Sequence, residues 1–447
     1  MKTRFQPLQG PGALLCLIIL LAAARLEAAT PTLIWSDDFN QPDNSAPDPA
    51  KWTYDLGDNG WGNDELETYT DSRDNSYITT DPAATDGKAL VIRIINANGS
   101  YTSARLKTQG LFNASYGRIE ANLRVVNGNG LWPAFWLLGA DIGSVGWPAC
   151  GEIDVMEILG KAPGKLYGTL HGPGYSGANG IGNTFTLPDG ALFSDAYHVF
   201  AVDWSPNKIV WSVDGMVYHS VTPADLPAGT AWVFNNSPAF IILDLAVGGF
   251  FADAPDSSTP LQASYLVDYV RVYGLPSDAP TGGTATPAMS ANQLNLSWTA
   301  PDLKGFALTG YHLDRATDSG FTQNLVQRDL GMATMLTDSQ LGGGATYYYR
   351  VSATTRGGTS DFSAVFSGTA PATDTTPPPM PAPTPTHPPS QGGGGGGAVS
   401  LWFLALLSLL SLVRRYSRHP RESGFSVCQT KPCRRLVPGV GVEPTRL

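Results

Sequence analysis

The chain has 447 residues, of which 15% are charged, and a formal net charge of −10 at pH 7. This length predicts two or three domains with enough apolar surface for a packed core. The acidic balance excludes a nucleic-acid partner, because phosphate binding needs clustered cations. The many turn-forming and aromatic residues (50 Gly, 35 Pro, 17 Tyr, 11 Trp) favour short strands joined by loops, and hence an all-β fold.

The N-terminus has the pattern of an export signal, which we assign to residues 1–29. Lys2 and Arg4 form a positive start, and the uncharged apolar run Ala13–Ala24 is too short to span a bilayer as a stable helix. Small residues suited to signal cleavage follow at Ala28. The pattern predicts a secreted or cell-surface protein.

The cysteines predict no internal disulfide in the mature chain. Cys16 leaves with the signal, and its place midway through the apolar run favours a signal peptide over lipid attachment. Cys428 and Cys433 lie in a basic tail that we expect to be lost. Cys150 then remains, either as a catalytic thiol or as a buried apolar side chain. Because no histidine lies near it in sequence, we expect the buried role.

Residues 30–276 contain many short runs in which aromatic and β-branched residues alternate with polar ones. Turn signals such as Asp214–Gly215 and Asn127–Gly128 separate them, and no helical pattern is interleaved. This spacing predicts a sandwich or barrel. The predicted strands are Tyr77–Thr80, Leu90–Ile94, Tyr197–Trp204, Ile209–Val213, Phe240–Leu245 and Val267–Tyr273.

Three carboxylates stand close together in this region, at Glu152, Asp154 and Glu157. In a flat strand the first two share a face and the third points the other way. A β-bulge near Val155–Met156 would return Glu157 to the face of the other two. The apolar residues between the acids indicate that the opposite face is buried. Three crowded carboxyls do not all ionise together, so one can serve as an acid.

Paired carboxylates among aromatic residues are typical of a glycosidase. Two glutamates on a bulged strand can approach to about 5–5.5 Å, as a covalent, retaining mechanism requires, whereas an inverting mechanism requires about 6.5–9.5 Å. Flat rings that can hold sugar faces occur on both sides of the motif, in Trp132–Trp136, Trp147–Pro148 and His171–Tyr175. The residues alone therefore predict a retaining glycosidase.

The run Glu152-Ile-Asp-Val-Met-Glu157 resembles the active-site signature of glycoside hydrolase family 16, and the resemblance extends over residues 33–273. It implies a jelly-roll β-sandwich with a substrate cleft on its concave face. The other matching motifs, in order, are Trp35–Phe39, Trp61–Tyr69, Ser103–Arg105, Tyr116–Ala121, Gly130–Trp136, Leu245–Gly249 and Val267–Tyr273.

The resemblance implies a role for each acid: Glu152 as nucleophile, Glu157 as general acid/base and Asp154 as their assistant. The implied sugar contacts are Asn63, Arg105, Trp132, Trp136, Trp147 and His171. For Trp132, Trp136 and His171 the alternative role is core packing, and for Arg105 it is a structural ion pair.

Three positions depart from the family pattern, and they bear on substrate preference. Asn122 stands for the usual Arg, Asp244 for the usual Asn, and Phe250–Phe251 for Asn-Trp. The six-residue signature resembles that of laminarinases, agarases and carrageenases, and the Trp-Gly-Asn loop with His171–Gly177 resembles bacterial endo-β-1,3-glucanases. Sulfated galactans require cationic subsites, for which the motifs offer only Arg105.

We therefore expect a secreted endo-glycosidase that hydrolyses laminarin-type β-1,3-glucan through a covalent intermediate. The alternatives are another polysaccharide of the same family, namely mixed-linkage β-glucan, agarose or carrageenan, and a glucan-binding protein without catalysis. We expect a monomer that needs no cofactor for catalysis. The resemblance also suggests a structural calcium at Asp268 and the Asp38 region, although these acids could equally pair with Arg271 or be solvated.

A second module covers residues 277–372. Leu294, Leu296 and Trp298 alternate onto one face, and Thr346–Ala353 forms another long predicted strand. These residues resemble a fibronectin type III domain, an immunoglobulin-like β-sandwich, with Trp298 as its core tryptophan and Tyr347 at its tyrosine corner. We expect a spacer role for this module, with sugar binding as the alternative.

The C-terminal part has three segments. Residues 373–397 form a linker rich in Pro, Thr and Gly, and residues 398–415 form a short apolar segment ending in two arginines. Together they resemble the GlyGly sorting signal of Gram-negative bacteria, which a rhomboid-type sorting protease cleaves. An ordinary membrane anchor is the alternative. Residues 416–447 receive no function.

Overall fold

The computed structural model describes residues 29–373, which are almost entirely β-strands. The all-β prediction is confirmed. The strands of the first sandwich are β2 (Leu33–Asp37), β3 (Thr53–Asp55), β4 (Glu67–Tyr69), β5 (Ser76–Thr80), β6 (Lys88–Ala97), β7 (Ser100–Ser103), β8 (Arg105–Lys107), β9 (Gly117–Arg124), β10 (Leu131–Gly139), β11 (Glu152–Ile158), β12 (Lys165–His171), β13 (Ile181–Thr186), β14 (His198–Ser205), β15 (Lys208–Val213), β16 (Met216–Val221), β17 (Ala239–Val247) and β18 (Gln262–Tyr273), and β1 (Thr30–Pro31) precedes them.

The first sandwich consists of two stacked sheets. A seven-stranded sheet has the order β13-β12-β11-β10-β17-β8-β3, and a ten-stranded sheet has the order β16-β15-β14-β9-β18-β6-β7-β4, with β2 and β5 attached. Strand β12 illustrates the pattern, because its even-numbered positions, such as Leu166 and Leu170, are buried while Tyr167 and His171 are half-buried. The buried set joins one large apolar core between the sheets. The outer face of the seven-stranded sheet is left to carry polar and aromatic side chains.

The predicted bulge on β11 is confirmed. Against β12, Asp154 pairs with Thr169 and Glu157 with Tyr167, so three steps on one strand face two on the other. Against β10, Met156 pairs with Phe135 and Asp154 with Trp136, which makes Val155 the extra residue. Val155 and Met156 are both buried in the core. The bulge therefore turns Glu157 to the outer face.

The second sandwich contains β19 (Thr281–Pro287), β20 (Leu294–Thr299), β21 (Leu308–Ala316), β22 (Val326–Leu330), β23 (Met335–Asp338), β24 (Thr346–Thr355), β25 (Gly358–Thr359) and β26 (Phe366–Thr369). Trp298 packs edge-on against Tyr311 in its core, with the ring centres 5.4 Å apart. The Tyr347 hydroxyl accepts a hydrogen bond from the backbone of Gly342 at 2.8 Å. The core tryptophan and tyrosine corner are thus both confirmed.

The N-terminal strand β1 belongs to the sheet of the second sandwich, where it pairs with β25. The sheet order is β1-β25-β24-β21-β22, with β26 beside β24. A sheet is thus completed by residues that lie far away in sequence. This pairing joins the two sandwiches.

Within residues 29–373, no helix has the length and apolar character needed to cross a membrane. The longest α-helix described is α1 (Ile142–Val145), a single turn. The predictions of an export signal, a linker, a sorting segment and a C-terminal tail lie outside the described residues, apart from Ala29 and residue 373. The same holds for Cys16, Cys428 and Cys433.

Cys150 is buried and free. Burial and the nearby carboxylate of Glu152 raise the pKa of its thiol to about 11. The thiolate is therefore disfavoured at neutral pH. The predicted burial of this side chain is confirmed.

Candidate active site

The three acids of β11 lie on the outer face of the seven-stranded sheet. Glu152 pairs with His171 on β12, and Glu157 pairs with Tyr167, so both glutamates flank Asp154 on one surface. The alternating residues Ile153 and Ile158 point into the core. Asp154 is only 4% exposed. The predicted convergence of the three carboxyls is confirmed.

Burial and mutual repulsion hold protons on these acids. Burial and then the charge of Asp154 raise the pKa of Glu152 to about 8. Burial and then the charge of Asp244 raise the pKa of Asp154 to about 8. Burial and then Asp154 raise the pKa of Glu157 well above its usual range. The cluster can therefore retain a proton for transfer at neutral pH.

Each acid has an aromatic or imidazole partner. The Trp147 indole donates to Glu152 at 2.9 Å, and the Trp132 indole donates to Glu157 at 3.2 Å. His171 Nε2 lies 3.1 Å from Asp154 and 3.8 Å from Glu152. Trp132, Trp147 and His171 were all predicted at this site. Trp132 is largely buried and holds an acid, so it also serves in packing, whereas Trp147 is 49% exposed.

Arg105 lies between two aromatic rings beyond β17. Its guanidinium is 5.0 Å from the Trp61 ring centre and 4.8 Å from that of Trp136. Its Nε lies 3.1 Å from Asp55 Oδ2. Arg105 therefore also forms the ion pair that was its alternative role. Trp136 is half-buried beside it.

The loop before β4 contributes Asn63 to the same surface. The Asn63 amide donates to Glu65 at 3.1 Å, and the Tyr69 hydroxyl donates to the other Glu65 oxygen at 3.1 Å. Gly249 passes close to this loop, because a Cβ there would lie 2.9 Å from the Asn63 carbonyl and 3.6 Å from the Trp132 ring. All six predicted sugar contacts thus lie on or beside the sheet face that carries the acids.

Several residues of this face were not predicted from the sequence. Lys107 lies one alternation after Arg105 on β8, and both cations contact Asp55. The predicted motifs offered only Arg105, and Lys107 is a second cation beside it. The period-2 spacing of Arg105 and Lys107 is a signal that could have found it. Because Asp55 faces both cations, the added charge is largely compensated.

Phe251 was seen only as a departure from the family pattern. Its ring packs edge-on against Trp132 and Tyr167, with centre distances of 5.4 and 5.1 Å. Its neighbour Phe250 is 77% exposed and donates its backbone N–H to Asn63 O at 2.8 Å. These two residues form an aromatic wall along one side of the acids.

The suggested calcium ligands have other partners. Asp38 forms an ion pair with Arg271 at 2.7 Å, which was the stated alternative. Asp268 is buried and accepts hydrogen bonds from the Thr85 backbone and hydroxyl and from the Asn122 amide. Both acids thus have protein partners, and a structural calcium at Asp268 and the Asp38 region stays a prediction.

Among residues 29–373, one group of three side chains has metal-ligating atoms close together. It consists of Glu152, Asp154 and His171, whose ligand atoms lie within 4.8 Å of one another. These are the acids and imidazole already described. Burial and, after it, neighbouring charges raise the pKa of Glu152 and that of Asp154.

Comparison with known proteins places both sandwiches. A family model described as "Glycosyl hydrolases family 16" matches residues 62–271, and a fibronectin type III model matches residues 278–369. The catalytic domain of an endo-1,3-β-glucanase (laminarinase) from Thermotoga petrophila RKU-1 is 40% identical. It covers 55% of this chain and 98% of its own chain, with a TM-score of 0.50.

Two curated relatives match the same part of the chain. A "Beta-glucanase" of Rhodothermus marinus is 37% identical over 253 residues, which are 54% of this chain and 84% of the relative. "Glucan endo-1,3-beta-glucosidase A1" of Niallia circulans is 36% identical over 265 residues, which are 54% of this chain and 37% of the relative. The chain thus spans most of the first relative and little more than a third of the second. From its ordered motifs, its bulged acidic strand and these matches, the chain belongs to glycosyl hydrolases family 16.

Proposed function

We propose that the protein is a retaining endo-glycosidase that hydrolyses laminarin-type β-1,3-glucan. The observation that carries this proposal is the bulged strand β11, which presents Glu152 and Glu157 on one face with Asp154 between them. A flat strand would have placed one glutamate in the core. Two half-buried glutamates on the outer face of one sheet fit the cleavage of a glycosidic bond.

The chemistry assigns a different task to each glutamate. Glu157 donates its proton to the glycosidic oxygen, and the Glu152 carboxylate attacks the anomeric carbon as the carbon–oxygen bond breaks. A covalent glycosyl-enzyme and a free sugar end result. Glu157, now ionised, then takes a proton from water, whose oxygen attacks the same carbon and releases Glu152. Both groups return to their initial protonation states.

The neighbours of the acids support this division. Burial and then the charge of Asp154 raise the pKa of Glu152 to about 8. The Trp147 indole, which donates to this acid, offsets part of that rise and so favours the carboxylate that a nucleophile needs. Burial and the charge of Asp154 keep Glu157 protonated, as an acid needs. Asp154 itself, beside His171, adjusts the protonation of both glutamates. The three acids therefore act as one coupled group.

The choice of a neutral β-glucan rests on two observations. The relatives are described as β-glucanases and endo-1,3-β-glucosidases. In addition, Asp55 contacts both Arg105 and Lys107, so the charge of these two cations is partly compensated. Mixed-linkage β-glucan, agarose and carrageenan are the competing substrates, and a glucan-binding protein without catalysis is the competing function.

The test is the release of reducing ends from laminarin, mixed-linkage glucan, agarose and carrageenan. We expect release from laminarin, with loss of about 10⁴-fold or more in Glu152→Gln. Asp203→Asn, a carboxylate of the opposite sheet, is the matched control and keeps activity. Activity on agarose or carrageenan but not laminarin would refute the substrate, and equal activity in Glu152→Gln would refute the catalytic assignment.

We also propose that the protein is exported to the cell surface or the medium of a Gram-negative bacterium. The support is the positive start and apolar run of residues 1–29, and the resemblance of residues 373–415 to a GlyGly sorting signal. A sorting protease would then be a transient partner, and the enzyme would act as a monomer without a cofactor. Cell fractionation of wild-type protein and of a variant lacking residues 398–415 tests this assignment.

A further inference from the structure

Asp244 is a buried carboxylate that the proposed reaction does not use. It lies on β17, where it pairs with Ala134 of β10 on one side and with Arg105 of β8 on the other. Ala134 in turn pairs with Glu157. Asp244 therefore stands in the same row across the sheet as the acid/base, two strands away.

The two oxygens of Asp244 hold two side chains. Oδ1 accepts the indole N–H of Trp136 at 2.7 Å. Oδ2 lies 3.2 Å from the Tyr69 hydroxyl, whose single hydrogen Asp244 shares with Glu65. The Arg105 guanidinium stacks on the Trp136 ring, with its central carbon 4.8 Å from the ring centre. The orientation of one predicted sugar-contacting ring, and with it that of the guanidinium, thus depends on this carboxylate.

The position of Asp244 also makes its charge felt among the acids. Only 4% of the residue is exposed, so water screens its field poorly. Burial, partly offset by Arg105, raises the pKa of Asp244 to about 6, so it is largely ionised at neutral pH. The charged and titratable groups that face it are Glu65, Tyr69, Arg105, Asp154 and Tyr265.

We propose that Asp244 is a positioning residue, which fixes Trp136 and Arg105 in the cleft and whose negative charge acts on Asp154, the acid between the two glutamates. An asparagine would supply the same acceptor to Trp136 and could donate to the Tyr69 oxygen, so it would preserve the geometry without the charge. An alanine would remove both the hydrogen-bond acceptor and the charge. Comparing the two variants therefore separates the effect of positioning Trp136 from the effect of the negative charge. This inference rests on the proposed hydrolytic function.

The sign of the charge effect follows from linkage. Asp244 raises the pKa of Asp154, so its neutralisation lets Asp154 ionise at lower pH. The coupled glutamates then exchange protons over a lower pH range as well. In Asp244→Asn we expect the pH profile of kcat/KM to move about half a unit to one unit towards acid, with kcat at the optimum within about threefold of wild type.

The second variant tests position. In Asp244→Ala we expect the same acid shift together with a KM about tenfold higher, because Trp136 loses its anchor. Asp203→Asn removes a charge of the opposite sheet, where Asp203 pairs with Arg118 at 3.1 Å, and should leave both quantities unchanged. An Asp244→Asn profile that superimposes on wild type would overturn the charge role, and an unchanged KM in Asp244→Ala would overturn the positioning role.

A measurement without substrate keeps this test separate from the proposed function. Carbon-13 NMR can follow the titration of the Asp154 carboxyl in wild type and in Asp244→Asn. We expect its midpoint to fall in the variant. An unchanged midpoint would refute the charge role of Asp244 even if laminarin is hydrolysed. A lower midpoint would support that role even if no tested polysaccharide is cleaved.

Discussion

At the scale of the residue, burial and hydrogen bonds act in opposite directions on the pKa values of the catalytic acids. Burial raises the pKa of all three acids of β11, and one indole hydrogen bond lowers the pKa of each glutamate in part. Trp147 serves Glu152 and Trp132 serves Glu157. Because each donor reaches one acid only, the two can be altered separately. This gives each glutamate an independent adjustment within a coupled group.

The Trp132 hydrogen bond predicts a shift of the alkaline limb of activity. It lowers the pKa of Glu157, so Trp132→Phe should raise that pKa and keep the acid protonated to higher pH. We expect the alkaline limb of kcat to move up by about half a unit, with kcat reduced about tenfold because the acid is less well held. The measurement is a kcat profile across the alkaline range.

Trp204→Phe provides the matched control for this substitution. Trp204 is equally buried but lies on β14 of the opposite sheet, paired with Gly117. It should lower stability without moving the alkaline limb. If the profile of Trp132→Phe coincides with that of wild type, the indole does not govern the proton of Glu157.

At the scale of the element, one extra residue in β11 decides whether a site exists. Val155 and Met156 are both buried, so two successive side chains point inward and the alternation restarts on the other phase. The apolar spacing Ile153, Val155, Met156, Ile158 already contains this signal, and the bulge could be predicted from it. The position of the bulge could also be predicted, because one extra residue between Asp154 and Glu157 is needed to put all three acids on the same face.

Other elements could not be predicted, for identifiable reasons. Strand β3 has three residues, too few to show alternation, and so Asp55 was missed. Strand β17 is buried along its whole length, because the core covers one face and the aromatic side chains of the cleft cover the other. It therefore reads as a plain apolar run, and neither the orientation nor the partners of Asp244 can be inferred from it. The register between β17 and strands distant in sequence can be read only from the folded sheet.

Removal of Val155 should therefore abolish activity through geometry alone. Without this residue the strand alternates regularly, and Glu157 would have to enter the core or the pairing with β12 would have to slip. We expect a loss of reducing-end release of about 10⁴-fold or more, as for loss of a catalytic glutamate. Circular dichroism and thermal melting must accompany the assay, because the register change also destabilises the sheet.

Val155→Ala keeps the count of residues and is the matched control for this deletion. Its truncated side chain should cost about 1–3 kcal/mol of stability while the glutamates stay in place. Activity at 25 °C should then remain within about tenfold of wild type. A folded deletion variant with wild-type activity would show that the bulge does not orient Glu157.

At the scale of the whole molecule, the chain builds a fixed junction between its two sandwiches. Strand β1 precedes the catalytic sandwich but completes the sheet of the fibronectin module. The backbone of Thr32 then joins both sides, since its N–H donates to Gly357 at 3.2 Å and its carbonyl accepts from Gly274 at 2.8 Å. The spacer role remains a prediction, but a module held in this way is oriented by the catalytic domain and does not hang from a flexible tether.

The close backbone crossing at this junction gives a prediction about stability. A Cβ at Gly357 would lie 2.4 Å from the Leu275 carbonyl and 2.7 Å from the Phe306 ring. Gly357→Ala must push these apart, so we expect a loss of about 1–3 kcal/mol and a melting temperature lower by a few degrees. Gly331→Ala, where a Cβ would meet nothing within 4 Å, is the matched control and should melt like wild type. Because the acids of β11 lie on another surface, kcat at 25 °C should be unchanged in both variants. Equal melting of the two variants would mean that the close crossing at Gly357 contributes nothing to stability.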